Sequence, residues 1–207
     1  MDKIIIIGAS GTIGGAVADL LERTHQVVRV GHRQGDYRVD LSSKASIENL
    51  FERIGKIDGV VSAAGLSRFG KLGEASDDDF MFSIRHKLMG QVNLVRIARH
   101  YLRAKGSIVV TTGLLAREPW PGTVPTAMVN AALEGFVRAA ALDMENGIRI
   151  NAVSPILITE TAAKMGLDGA VTLSSAETAK AYQACLAGDM TGQVLDVRDY
   201  GNIGGKA

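Results

Sequence analysis

A single cysteine, four prolines and an aromatic content of 5% deny this chain several common structural devices. Cys185 has no partner for an internal disulfide, so packing alone must hold the fold and a reducing compartment is expected. On its helical stretch the thiol is expected to be simply buried. No apolar run approaches the ~20 residues that a bilayer span requires. The opening stretch MDKIIIIGASG reads as a strand, with no basic region ahead of a long apolar segment. A net charge of +1 supplies no basic excess, so neither nucleic acid nor a membrane is expected as a partner. A cytoplasmic location follows, and no metal-ligand set is expected. What the chain has instead is 24 glycines and a hydrophobic content of 46% against 22% charged residues, the balance of a globular domain. Its 207 residues suit one domain with a full core.

Short β-branched runs alternate with helical patterns. Strands are expected at Lys3–Ile7, Gln26–Val30, Tyr37–Asp40, Ile57–Val61, Ser107–Thr111, Ile148–Val153 and Val194–Val197. Helices are expected at Thr12–Arg23, Ser43–Ile54, Asp77–Arg103, Pro125–Glu145 and Ser175–Ala187. Ile47, Leu50, Phe51 and Ile54 recur on one face of the second, and SSAE opens the last with a capping pattern. Strands buried on both faces and separated by helices imply a doubly wound α/β fold with a parallel sheet, helices covering both faces. Between Val30 and Tyr37 stand only GHRQGD, too few residues for a crossover helix, so that helix is expected to be absent.

The segment IIIIGASGTIGGAV places Gly8, Gly11 and Gly14 between a strand and a helix. The first allows a tight turn, the second lets backbone approach a pyrophosphate, and the third lets helix and strand pack closely. Ser10, Thr12 and Ile13 complete a loop whose helix N-terminus presents free N–H groups to phosphate. At the end of the second strand, VGHRQ carries no acid to accept from a ribose 2′-hydroxyl. His32 and Arg33 offer positive charge instead, which suits a 2′-phosphate and favours NADP(H) over NAD(H).

Together GASGTIG, VDL at 39–41, SAAG at 62–65 and GIRINAVSP at 147–155 resemble, in order, the short-chain dehydrogenase/reductase family. The resemblance spans nearly the whole chain and implies a Rossmann-like, NAD(P)-binding domain over residues 1–207. It places Asp40 and Leu41 near the adenine, and lines the cofactor with Ala63, Ala64 and Gly65. Pro155 and Ile158 would border the nicotinamide. It also implies a homo-oligomer, dimer or tetramer, paired through the Asp77–Arg103 and Pro125–Glu145 helices. The segment from Pro155 to Ser175, where such proteins carry a substrate lid, is compact here.

In the family an Asn, a Ser, a Tyr and a Lys carry the chemistry. The Tyr moves the proton, the Lys lowers its pKa and holds the ribose, and the Ser polarises the carbonyl. Alignment through NAALEGF puts Thr126 at the Tyr position and Asn130 at the Lys position. Counting thirteen back from Thr126 reaches Gly113 for the Ser, and HKLMGQ puts Lys87 at the Asn position. All four differ, as in a divergent bacterial branch that the chain also resembles. Thr112, as a hydrogen-bond donor, and Lys87, as the missing ammonium, are the candidate replacements. His86, Glu118, Tyr182 and Tyr200 are weaker ones, and Trp120 is a candidate pocket wall. Three functions remain open. One is an NADP(H)-dependent oxidoreductase acting on a small carbonyl or alcohol, or on an activated C=C bond, with a non-standard proton relay. Another is a non-catalytic dinucleotide sensor or regulator. The last is a subunit paired with an active relative.

Overall fold

The computed structural model describes residues 1–167 and 170–202. Residues 168 and 169, within the segment expected to be compact, and residues 203–207, the end of the expected domain, lie outside the described residues.

Chain order is β1 (Lys3–Ile7), α1 (Thr12–Leu21), β2 (Gln26–Gly31), β3 (Tyr37–Arg38), α2 (Lys44–Ile54), β4 (Ile57–Ser62) and α3 (Asp77–Ser83). After a π-helical turn at Ile84–Met89 come α4 (Gly90–Ala98), β5 (Leu102–Thr111), α5 (Val124–Leu142), β6 (Arg149–Ser154), α6 (Thr159–Met165), α7 (Ser175–Ala187) and β7 (Val194–Asp196). The strands form one sheet in the order β3-β2-β1-β4-β5-β6-β7. Every pairing is parallel.

The four isoleucines of β1 show how the sequence builds two cores from one sheet. Ile5 and Ile7 point into one cluster with Phe51, Leu94 and Val137, while Ile4 and Ile6 point into another with Leu21, Tyr182 and Cys185. This is the period-two alternation of a strand covered on both faces. Each such buried side chain contributes about 1.5–3 kcal/mol. The amphipathic face of α2 buries Ile47, Leu50, Phe51 and Ile54, and Ser43 caps it by accepting from the Ser46 N–H. Ser174 caps α7 in the same manner through the Glu177 N–H.

No crossover helix joins β2 to β3. Residues 32–36 turn back as a series of bends, held where the Asp36 N–H donates to the Arg29 carbonyl at 2.7 Å. Several boundaries differ from the sequence reading by one to three residues, β5 begins at Leu102 instead of Ser107, and three differences have a physical reason. The expected helix over Asp77–Arg103 is interrupted by the π turn and ends at Ala98, since Leu102 already pairs with Ile57 in the sheet. The last expected strand stops at Asp196, before a short 3-10 turn at Val197–Asp199. Helix α6, with seven residues and only Ala162 buried, carries no apolar stripe to announce it.

From β1 the chain winds outward to β2 and β3, then returns to place β4 on the other side of β1. This reversal opens a crevice at the carboxyl ends of β1 and β4, where such sheets bind ligands.

Candidate functional site

The crevice begins at the glycine-rich loop. Gly8 has φ 88°, and a Cβ there would stand 2.6 Å from the Ala63 carbonyl oxygen, so glycine is required for the turn and for the contact. A Cβ on Gly14 would collide with the Gly8 carbonyl, so this glycine lets α1 close onto the loop. Gly11 is the N-cap of α1 and offers no side-chain cap, and the first turn holds no acid. The N–H groups of Thr12, Ile13 and Gly14 therefore open into the crevice with the positive end of the helix dipole behind them. These residues fit a pyrophosphate.

His32 and Arg33 are exposed and directly follow Gly31, the residue of β2 that meets this loop. The missing Cβ of Gly31 would sit 3.2 Å from the Ser10 hydroxyl. Asp40 is half-buried on the other flank. Its Oδ1 accepts from the Ser42 hydroxyl at 2.7 Å and the Ser42 N–H at 2.9 Å. These bonds, hydroxyl first, with the nearby His32 and His86 adding to them, hold its carboxyl below the usual range. Leu41 packs where Gly90 has no side chain, 3.1 Å from the position of its missing Cβ. Ala63, Ala64 and Gly65 follow β4, and the Ala63 N–H donates to the Ile7 carbonyl at 2.8 Å. On the far wall, Pro155 follows β6 with its carbonyl accepting from the Leu114 N–H at 2.9 Å. Ile158 caps α6 and bridges to Leu173.

Three of the four positions of the expected chemistry, Lys87, Gly113 and Asn130, meet at the end of β5. Lys87, in the π turn, runs its stem along Gly65, where a Cβ would stand 3.1 Å from the Lys87 Cγ. Its ammonium donates to the Thr112 carbonyl at 3.1 Å. Burial of the ammonium lowers its pKa to about 8. Asn130 is 2% exposed on α5, and its Nδ2 lies 2.8 Å from where a Cβ on Gly113 would be. Its Oδ1 is buried with no partner among the described residues. Lys87 and Asn130 thus bracket consecutive residues, Thr112 and Gly113.

The two threonines behave differently. The Thr112 N–H donates to the Val153 carbonyl at 2.9 Å, and its hydroxyl reaches the same oxygen at 3.3 Å. That side chain is therefore turned toward β6. The Thr126 hydroxyl donates to the Arg68 carbonyl at 2.9 Å, and the Ser67 hydroxyl lies 2.9 Å from the same Thr126 oxygen. Its proton goes to the loop after β4. Arg68 anchors that loop in turn, donating its N–H to Ser83 at 2.9 Å and lying 4.6 Å over the Phe82 ring.

Other candidates find structural roles. Tyr182 is fully buried with its hydroxyl 2.7 Å from that of Thr111, and burial pushes its phenol well above the ordinary range. Burial likewise pushes the Cys185 thiol up to about 12. Glu118 accepts from Arg198 at 2.8 Å, Tyr200 packs against the second core cluster, and His86 stacks with Phe82 at 4.2 Å. Trp120 is 53% exposed. Two residues went unseen in the sequence. Ser67 meets Thr126, and the fully buried Gln91 amide grips β5 by exchanging bonds of 2.8 and 2.9 Å with the Thr111 backbone. Gln91 lies four residues after Lys87, and that helical spacing was the available signal for a shared face. Among the described residues no helix is long and apolar enough to cross a membrane.

Residues 8–194 match a family model described as enoyl-(acyl carrier protein) reductase. Oxidoreductase UcpA of Escherichia coli is 30% identical over 159 residues, covering 74% of this chain and 59% of UcpA. The chain spans 57% and 59% of the length of the first two curated relatives it matches. Among solved structures, lin1944 from Listeria innocua is 37% identical with a TM-score of 0.92, over 95% of this chain and 100% of that one. A small-chain dehydrogenase in complex with NADPH is 27% identical with a TM-score of 0.84, over 94% of this chain and 95% of the other.

Proposed function

This chain belongs to the short-chain dehydrogenase/reductase family, and from that premise we propose that it binds NADP(H) in preference to NAD(H) and reduces a small carbonyl compound, or oxidises the corresponding alcohol, with Lys87 in place of the family's proton donor. Residues 1–207 act as one dinucleotide-binding domain, located in the cytoplasm. The NADPH carried by one structural neighbour supports the cofactor, as do His32 and Arg33, which directly follow Gly31.

One observation carries the chemistry: the Lys87 ammonium reaches the end of β5, where its one hydrogen-bond partner among the described residues is the Thr112 carbonyl. When bound, the cofactor supplies the hydride that reduces the carbonyl carbon. Lys87 donates the proton that the resulting alkoxide takes up, and is reprotonated from water. Its lowered pKa brings it near the operating range of a general acid. The loop 65–70, held by Thr126, Ser83 and the bridge between Gly70 and Thr123, walls the substrate side.

Paired subunits fit the groove between α4 and α5. Val95, Phe136 and Ala140 line it, and Arg96, Arg99 and Asp143 edge it, so a two-fold axis would set arginines of one copy against Asp143 of the other.

The test is a screen of carbonyl substrates for NADPH oxidation, with Lys87→Met beside the unmodified protein. Turnover that declines as pH rises through about 8, and falls at least ~100-fold in Lys87→Met, is the expected result. Undiminished turnover in the variant would remove Lys87 from the mechanism. Tight NADPH binding without turnover on any carbonyl would favour a non-catalytic sensor or partner subunit. The commitment of the Thr126 hydroxyl to the Arg68 carbonyl already points in that direction.

A further inference from the structure

The turn that follows β5 is fastened by charge to two elements remote from it in sequence. Arg117 closes the short turn Leu114–Ala116. Its Nη2 lies 3.2 Å from Asp196 Oδ2, and its Nε 3.7 Å from Glu134 Oε1. Both carboxylates are shielded, with side chains 12% and 5% exposed. Ion pairs between exposed side chains count for little, but a shielded carboxylate needs a counter-charge. Arg138, one turn along α5, meets the other Glu134 oxygen at 3.1 Å. Oε1 has no hydrogen bond among the described residues, so Arg117 is the cation beside it. Arg198 grips both Asp196 oxygens, at 3.0 and 2.7 Å, and reaches Glu118 at 2.8 Å. Since Arg117 and Glu118 are adjacent in the chain, Arg117, Asp196, Arg198 and Glu118 close a ring.

The ring spans the exit of β6. That strand lies between β5 and β7, and Asp196 stands in register with Ser154, its last residue. On the β5 side the Leu114 N–H donates to the Pro155 carbonyl at 2.9 Å, and the Thr112 N–H to the Val153 carbonyl at 2.9 Å. The stretch so held supplies the Thr112 carbonyl that receives the Lys87 ammonium. On the reading that Lys87 is the proton donor of a carbonyl reduction, we infer that Arg117 is a positioning residue: by tying the turn after β5 to α5 and β7, it fixes the Thr112 carbonyl and through it the direction of the Lys87 ammonium. A displacement of about 1 Å at a reacting group can cost about 100-fold in rate. Thr112 keeps its own bond to β6 when Arg117 is removed, so a loss of about tenfold is expected.

Amide hydrogen exchange and carbonyl-dependent NADPH oxidation are compared in the unmodified protein, Arg117→Ala and Arg117→Lys, with and without guanidinium ion at a non-denaturing concentration. Exchange at Leu114 is expected to quicken at least about tenfold in Arg117→Ala, with the β1 amides unchanged. Guanidinium, which carries the fork that the variant lacks, should restore it to within about threefold, and sodium ion should not. Arg117→Lys keeps the charge without the fork and should fall between the two. In Arg117→Ala kcat should drop about tenfold while KM for NADPH changes by less than about threefold, and guanidinium should recover the loss. Unchanged exchange at Leu114 in both variants overturns the tether. Exchange that quickens equally in β1, a kcat that does not change, or a loss that guanidinium does not mend overturns the positioning role. An unmodified protein that reduces no carbonyl compound overturns the reading of the reaction and the positioning role with it, while exchange at Leu114 still decides the tether.

Discussion

The Asn130 amide fills the space that a side chain on Gly113 would need, with Nδ2 2.8 Å from the position of the missing Cβ. Gly113 is half-buried just beyond β5, and Asn130 is buried in the first half of α5. Gly113→Ser, the change toward the family's own residue, is therefore expected to destabilise the protein by about 1–3 kcal/mol through overpacking. Shortening the neighbour in Gly113→Ser/Asn130→Ala should recover much of the loss. Chemical denaturation of the three proteins reads this directly. A Gly113→Ser protein as stable as the unmodified one would show that the amide is free to move aside.

Burial of Lys87 makes stability depend on pH in an unusual sense. The ammonium is harder to keep charged in the folded protein, where its pKa is about 8, than in the unfolded chain at 10.5. Below pH 8 the cost of holding the charge is fully present. As pH rises from about 8 to about 10.5 the unfolded chain binds the extra proton, so stability rises, by at most about 3 kcal/mol. Urea unfolding near pH 7.5 and pH 9.5 should show this rise in the unmodified protein and its absence in Lys87→Met. The same pH dependence in both proteins would mean that the ammonium is effectively solvated.

Thr126 stands where the family resemblance calls for a phenol, yet its hydroxyl tethers the loop after β4 through Arg68 and Ser67. Thr126→Val keeps the shape and removes the bonds, and is expected to cost about 0.5–1.5 kcal/mol, the net worth of a part-buried hydrogen bond. Hydrogen exchange should quicken at residues 66–70 and stay unchanged in β1 and β4. Exchange that is unaltered in the loop would assign its order to Arg68 and the Gly70–Thr123 bridge alone.

The strand runs and the glycine loop were legible because hydrophobic period and glycine spacing are local properties. Ile4–Ile7 could only be a strand buried on both faces, and GHRQGD was too short for a helix. The helix over Asp77–Arg103 was overextended because Arg99, His100 and Tyr101 do not themselves break a helix. Its end is set by Leu102 pairing with Ile57, a contact 45 residues away in sequence. The π turn at Ile84–Met89 left no trace in a 3.6-residue pattern, yet it is the turn that carries Lys87. Sequence could therefore name the lysine as a replacement ammonium but not give its direction. Ser67 matters only through Thr126, which it meets across the fold, and no spacing discloses that contact.

The cofactor preference is the claim on which the rest depends. His32 and Arg33 lie exposed at the end of β2, directly after Gly31, whose missing Cβ would sit 3.2 Å from the Ser10 hydroxyl. Titration of the unmodified protein and of Arg33→Ala with NADPH and NADH measures it most directly. NADPH should bind at least about tenfold more tightly than NADH, and Arg33→Ala should erase most of that difference, the loss of one charge-assisted contact to phosphate. Equal affinity for the two cofactors in the unmodified protein, or no binding of either, would contradict the account.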